Sequence, residues 1–214
     1  AGLAIYYHNR GLDQLTLKNP EEAERLFRLS IAEDPGYWLP WSSLATIARD
    51  RKDFDQQLSF LREALARRPE DAGLLAETAR NLSGAREVAE AEELARRAVR
   101  LAPRDGDVRY QAANVHLEAG RIEEGLQEMI VATRLGLRTD ELYANISALL
   151  RMQSRYEEAL EWVERGLAFA PDSGFLLLER ALAHLDAGTG DPRQIREDLK
   201  AARRAGLPSV PDLK

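Results

Sequence analysis

The chain has 214 residues, 44% of them hydrophobic and 31% charged, with a formal net charge of −6. An acidic chain lacks the basic face that phosphate binding needs, so nucleic acid and anionic membrane surfaces are not its expected partners. It contains no cysteine, which excludes a disulfide framework and thiolate chemistry, and no apolar run approaches the roughly 18 residues of a membrane span.

Leu, Ala, Glu and Arg dominate the composition, which favours helix. The first helical pattern lies near 4–17. Asn19, Pro20 and Glu22 then have the form of a capping box opening a second helix. Trp38 and Trp41 begin the next pair, which turns at 51–53. The third pair is the least punctuated; its turn is placed near 83–87, with Gly84 the only breaker. The fourth turns at Ala119-Gly120 and lacks a closing proline, so Gly136 is expected to supply a left-handed C-cap. In residues 140–173, Leu142, Ile146, Leu149 and Leu150 fall at helical spacing, and Tyr156, Ala159, Leu160, Val163 and Leu167 repeat the pattern. Ser154 with Glu157 predicts a capping box between them, and Pro171 a stop. The last stretch gains two residues at 188–192, after which Asp191 and Gln194 form a third box-like pair.

These pairs recur every 34 residues. Gly11, Ala45, Ala79, Ala113, Ser147 and Ala181 form one small-residue column, and Ala23, Gln57, Ala91, Gly125 and Ala159 a second. Ser30, Ala64, Ala98, Ala132 and Gly166 form a third, and Pro35, Pro69, Pro103, Leu137 and Pro171 a closing column. Small residues in register let helices approach closely, and Phe27, Leu61, Ala95, Met129 and Val163 fill the space between them. Gln57, Arg109 and Arg180 break their columns and are expected to be structural adjustments, by a buried amide, snorkelling or pairing.

On these columns the chain resembles the tetratricopeptide repeat (TPR) family, whose unit is a 34-residue helix–turn–helix. Trp41, Leu44 and Ala45 match its pattern, as do Tyr156, Ala159 and Pro171, and Gly120 and Ala132. The resemblance implies an all-α, right-handed superhelical solenoid spanning 1–214 as one domain. Its six units are 4–37, 38–71, 72–105, 106–139, 140–173 and 174–207, with a 208–214 tail.

The three histidines, His8, His116 and His184, are expected to be polar core or groove residues, and no metalloprotease, phosphate-loop, dinucleotide or nucleophile-elbow motif appears. No enzyme activity, catalytic residue, metal or cofactor is therefore expected. The resemblance instead implies a concave groove lined by the first helix of each unit. The candidate peptide-binding residues there are Arg49, Glu77, Arg80, Tyr110, Gln111, Asn114, Asn145, Arg151 and Glu179. Asn114 and Asn145 match the places where the family grips a peptide backbone. Its cationic clamp for chaperone tails is broken here by Tyr110, Phe175 and Glu179. Arg49 and Arg80 make the early groove basic, and acids thicken in the later units. Reversing Glu141 and Glu179 to lysine is therefore expected to weaken a ligand while leaving the fold intact.

The expected partner is a protein or peptide segment. Two alternatives stand beside it. Ile5, Tyr6, Leu12 and Leu15 exceed what one neighbour can cover, which allows self-association through the N-terminal end; the last helix, by contrast, turns Arg193, Arg196, Lys200 and Arg203 to water. The chain begins AGLA rather than with Met, so it is also read as a fragment of a longer protein. A removed signal or anchor, or an enzyme carrying its catalytic part elsewhere, stays open.

Overall fold

The computed structural model describes residues 2–207. The 208–214 tail lies outside the described residues. These form twelve helices and no strand, in two compact units, Ala1–Arg121 and Ile122–Lys214. The first unit holds α1 (Gly2–Thr16), α2 (Pro20–Glu33), α3 (Leu39–Asp50), α4 (Phe54–Arg67), α5 (Ala72–Gly84), α6 (Val88–Leu101) and α7 (Gly106–Glu118). The second holds α8 (Ile122–Arg134), α9 (Asp140–Met152), α10 (Tyr156–Leu167), α11 (Gly174–Ala187) and α12 (Pro192–Arg204).

Each odd-numbered helix from α1 to α5 packs on the even-numbered helix that follows it, and α9 on α10 and α11 on α12 do the same. The packing columns lie in the interior. Ala45, Ala79, Leu61 and Ala95 are buried in the first unit, and Ser147, Ala181, Met129 and Val163 in the second. Gly11 is needed where it stands. A Cβ there would lie 2.7 Å from Cδ1 of Phe27, so only the bare backbone fits against the ring.

The turns inside the pairs follow one device. Lys18, Lys52, Arg86 and Ser154 have φ of 58°, 60°, 66° and 60°, and Gly120 and Gly188 have 76° and 64°. Successive members are 34 residues apart. Each donates its N–H to the carbonyl three residues back, as Lys18 does to Leu15 and Arg86 to Ser83. The next residue then donates five back, as Asn19 does to Gln14 and Arg155 to Leu150. This is a Schellman closure, and it needs a left-handed residue just past the helix. Four of these places carry a side chain where that conformation costs roughly 1–2 kcal/mol. Glycine would relieve the strain but loosen the unfolded chain by about 0.4–1 kcal/mol. Lys18→Gly, Lys52→Gly, Arg86→Gly and Ser154→Gly are therefore each expected to stabilise by about 0.5–1 kcal/mol in urea melts. Destabilisation by all four would contradict the left-handed assignment.

The same device corrects three sequence expectations. Ser154 closes α9 instead of capping α10, which begins at Tyr156 with Arg155 at its N-cap and no side-chain cap. Gly84 lies within α5, and Arg86 makes that turn. Asn19 does not cap α2: its amide donates to Gln14 Oε1 at 3.3 Å, and Glu22 is held by Arg25 at 2.6 Å. Position alone does not decide this: Asp53, one period on from Asn19, does cap its helix by accepting from the Gln56 N–H at 3.0 Å. Asp191 does cap α12, but Gln194 turns inward to Asp198 at 2.8 Å. α10 ends at Leu167, before Pro171, where the Gly166 carbonyl accepts from both Phe169 and Ala170. Gly136 is left-handed as expected, at φ 99°.

The column breakers are accommodated by pairing. Gln57 is buried, and Arg109 donates to the Pro103 carbonyl at 3.1 Å. Arg180 grips both oxygens of Asp198 at 2.7 and 2.8 Å and reaches Glu164 at 3.2 Å. At the chain start Ile5, Tyr6 and Leu12 are exposed, while Leu15 packs with Ala23, Phe27, Leu44 and Ile47.

Candidate binding groove

The first helices of the first unit build a pocket. Residues on or just before α3, α5 and α7 line a pocket of about 370 Å³, and four side chains placed in the groove by register line it together with Ser42: Arg49, Glu77, Arg80 and Gln111. The spacing explains the convergence. Glu77 and Gln111 are one period apart, and Arg80 follows Glu77 by one helical turn.

Trp38, Asp71 and Asp105 also line the pocket and were not anticipated. The two aspartates are helix caps: Asp71 accepts from the Leu74 N–H at 3.1 Å, and Asp105 from Val108 at 3.1 Å and Asp107 at 2.9 Å. Thr139 and Ser173 cap α9 and α11 in the same register. That cap column, two residues after the proline column, was the available signal.

The pocket's charges are unevenly satisfied. Arg49 lies 3.7 Å from Glu77 and 3.5 Å from Asp50. Glu77 also accepts from Gln57 Nε2 at 3.4 Å, and Gln57 Oε1 accepts from Asn81 at 2.9 Å. Arg80 has no ion pair or hydrogen bond among the described residues, although its Nε is shut away from solvent. Gln111 Oε1 is an enclosed acceptor in the same condition. Asn114 and Tyr110 stand half-buried on α7.

In the second unit Asn145 is half-buried on α9. Arg151 reaches Glu179 at 3.2 Å and Asp186 at 2.7 Å. Burial pushes the Glu179 carboxyl above its usual range, with Arg151 opposing the shift. Glu179 is thus paired with Arg151, and Glu179→Lys would set a cation against Arg151. The double reversal cannot leave this network undisturbed.

The histidines are occupied separately. His8 is buried, 3.1 Å from Ser43 Oγ, and burial lowers its pKa below the ordinary imidazole value. His116 Nδ1 is 2.7 Å from Arg121, and His184 Nδ1 is 3.2 Å from Thr189. Among the described residues no group of three His, Cys, Asp or Glu is placed to hold a metal ion, and no helix is long and apolar enough to cross a membrane.

A family model described as tetratricopeptide repeat matches residues 8–72, 77–134 and 110–174, well over half of the chain. No curated protein matches the sequence. Among solved structures the chain is similar to one from the APC/C heterotetramer Cut9–Hcn1, at 17% identity and a TM-score of 0.80 over 94% of this chain. It spans only 40% of that chain. It is similar to PilW, a widely conserved type IV pilus biogenesis factor, at 12% identity and a TM-score of 0.83, covering 97% of this chain and all of the other. YrrB, a TPR protein with an unusual peptide-binding site, is similar at 17% identity and a TM-score of 0.59 over 83% of this chain and 91% of its own. At these identities the likeness shows the fold, which is all-α and built of helix–turn–helix repeats. With the 34-residue columns, the left-handed turns between paired helices and the family model in agreement, the chain belongs to the tetratricopeptide repeat family.

Proposed function

We propose that the chain is a protein–protein interaction module that holds an extended segment of a partner against its first helices. The family generally mediates protein–protein interaction. The observation that carries the finer reading is the pocket of about 370 Å³ on α3, α5 and α7, lined by Arg49, Glu77, Arg80 and Gln111. An extended backbone offers both carbonyls and N–H groups, and these side chains supply donors and acceptors of both kinds. Asn114 on α7 lies on the same helix as Gln111, and Asn145 offers an amide on the first helix α9 of its own unit; an amide pairs with both backbone groups. A preformed surface limits the ordering cost of binding.

The test is titration with a fluorescent peptide selected from a displayed library. Asn114→Ala is expected to weaken a peptide held by the first unit by about tenfold, the cost of one buried hydrogen bond, and Asn145→Ala one held by the second. Unchanged affinity in both variants would remove the asparagines from the site.

A second reading rests on the exposed apolar side chains Leu3, Ile5, Tyr6 and Leu12 of α1. These could meet another copy, and a head-to-tail contact would propagate into rings or filaments. Light scattering that stays monomeric at high concentration would remove it.

A further inference from the structure

Two further pockets open on the edge of the first unit that carries the turns inside the helix pairs. One, of about 380 Å³, is walled by Leu15, Pro20 and Ile47, and the other, of about 370 Å³, by Phe54, Leu58 and Ala85. They are the same place one period apart. Pro20, Ile47, Asp50 and Arg51 in the first stand 34 residues before Phe54, Asn81, Gly84 and Ala85 in the second. Phe54 is 59% exposed, an apolar ring turned to solvent at the pocket mouth. Beside the pockets runs a row of cations. Lys18, Lys52 and Arg86, the left-handed turn residues, are exposed, and their side chains pair with nothing among the described residues. The acids nearby are committed. Asp53 caps α4, Asp50 lies 3.5 Å from Arg49, Glu24 holds Arg51 at 2.7 Å, and Glu87 faces Arg62 at 3.5 Å. Asp55 sits in the first turn of α4, where the helix dipole balances it. The row of cations ends there, because the next places in the column are Gly120, Ser154 and Gly188.

We propose that this turn edge is a second docking surface, separate from the groove, and that its occupant is an acidic amphipathic helix of a partner protein. First helices pack directly on one another, as α5 does on α7, so the two pockets stand about one interhelical distance apart, roughly 8–10 Å. A helix rises about 1.5 Å per residue, so its side chains at i and i+7 share a face about 10.5 Å apart. An extended segment returns to one face at about 6.6 or 13 Å and misses the spacing. One large apolar side chain of the helix enters each pocket, and the carboxylates flanking it face Lys18, Lys52 and Arg86.

The test selects displayed helical peptides, surface-randomised on one scaffold, against the wild type. Binders are expected to share large apolar residues seven apart with Asp or Glu beside them. Gly84 lines the second pocket, and a Cβ there would meet nothing within 4 Å, so Gly84→Trp fills the pocket and leaves the helix intact. It should weaken the best helical binder by about tenfold to a hundredfold, the range for losing one buried apolar side chain. Joint reversal of Lys18, Lys52 and Arg86 to glutamate should weaken it by about tenfold at low salt and by less at high salt, because exposed pairs are screened. Thermal melts confirm that each variant is folded. A groove peptide sensitive to Asn114→Ala should bind both edge variants undiminished, so this proposal and the groove reading can fail separately. The proposal falls if no helical peptide is selected, if the selected helices lack the acids or the seven-residue spacing, or if they bind both variants as tightly as the wild type. Co-sedimentation with phosphatidylcholine–phosphatidylserine vesicles, abolished by the triple reversal, would overturn it by assigning the edge to an anionic membrane.

Discussion

Replacing Arg180 with alanine is expected to cost the second unit about 3–5 kcal/mol, the range for removing one partner of a buried ion pair. Asp198 is only 2% exposed on the inner face of α12, and its two oxygens accept from Arg180 Nε and Nη2. These hydrogen bonds hold the arginine pKa above its ordinary value. Without the guanidinium, the carboxylate keeps only the Gln194 amide and must be protonated or hydrated. The loss reflects the stranded charge, so Arg180→Met with Asp198→Leu should recover most of it and can exceed the parent stability. The exposed pair Glu22–Arg25 gives the contrast: Arg25→Ala should cost under about 1 kcal/mol. Urea melts of the three variants settle the point. A loss below about 1 kcal/mol for Arg180→Ala would mean that Asp198 is solvated in the folded protein.

Phe27→Ala carries a similar cost, about 3–5 kcal/mol, and its partner makes it a sharper probe. The ring is fully buried against Gly11, Leu44 and Ile47. Gly11→Ala in the wild type forces a methyl against Phe27 and should cost about 1–3 kcal/mol of overpacking, partly offset by about 1 kcal/mol of helix propensity. Once Phe27 is alanine the clash is gone and the propensity gain stays. Gly11→Ala should then be neutral or stabilising by up to about 1 kcal/mol. The sign change in a double-mutant cycle is the signature of direct contact. Additive effects would show that the small-residue column does not set the approach of α1 to α2.

Residues with a strong chemical signature made the fold legible in the sequence. Small residues at 34-residue spacing can serve little but close packing, and Phe27, Leu61 and Val163 are buried where the period placed them. The turns were less legible. Gly120 and Gly188 announce a left-handed residue, but Lys18, Lys52 and Arg86 do not, because the Schellman hydrogen bonds impose that conformation on whatever stands there. Their phase with the two glycines was the usable clue. Capping motifs misled at Asn19, whose amide turns to Gln14 instead, and at Ser154, which is the left-handed residue closing the preceding helix.

The candidate site divides along the same line. Arg49, Glu77, Arg80 and Gln111, placed on the first helices by register, line one pocket. Which arginine is engaged was not readable, because pairing depends on side-chain reach across neighbouring helices. Arg49 finds Glu77 from the next first helix, and Arg151 finds Glu179 in the same relation. Arg180 looks like a misplaced surface residue until Asp198 appears on α12, in a sequence stretch that otherwise reads as a solvated basic face.

The most direct test of the central claim is a photo-crosslink from a selected peptide, mapped by mass spectrometry. A peptide held by the first helices should label Ser42, Thr46, Arg80, Gln111 and Asn114 on α3, α5 and α7. Labels confined to α2, α4 and α6 would contradict the assignment of the binding surface to the first helices.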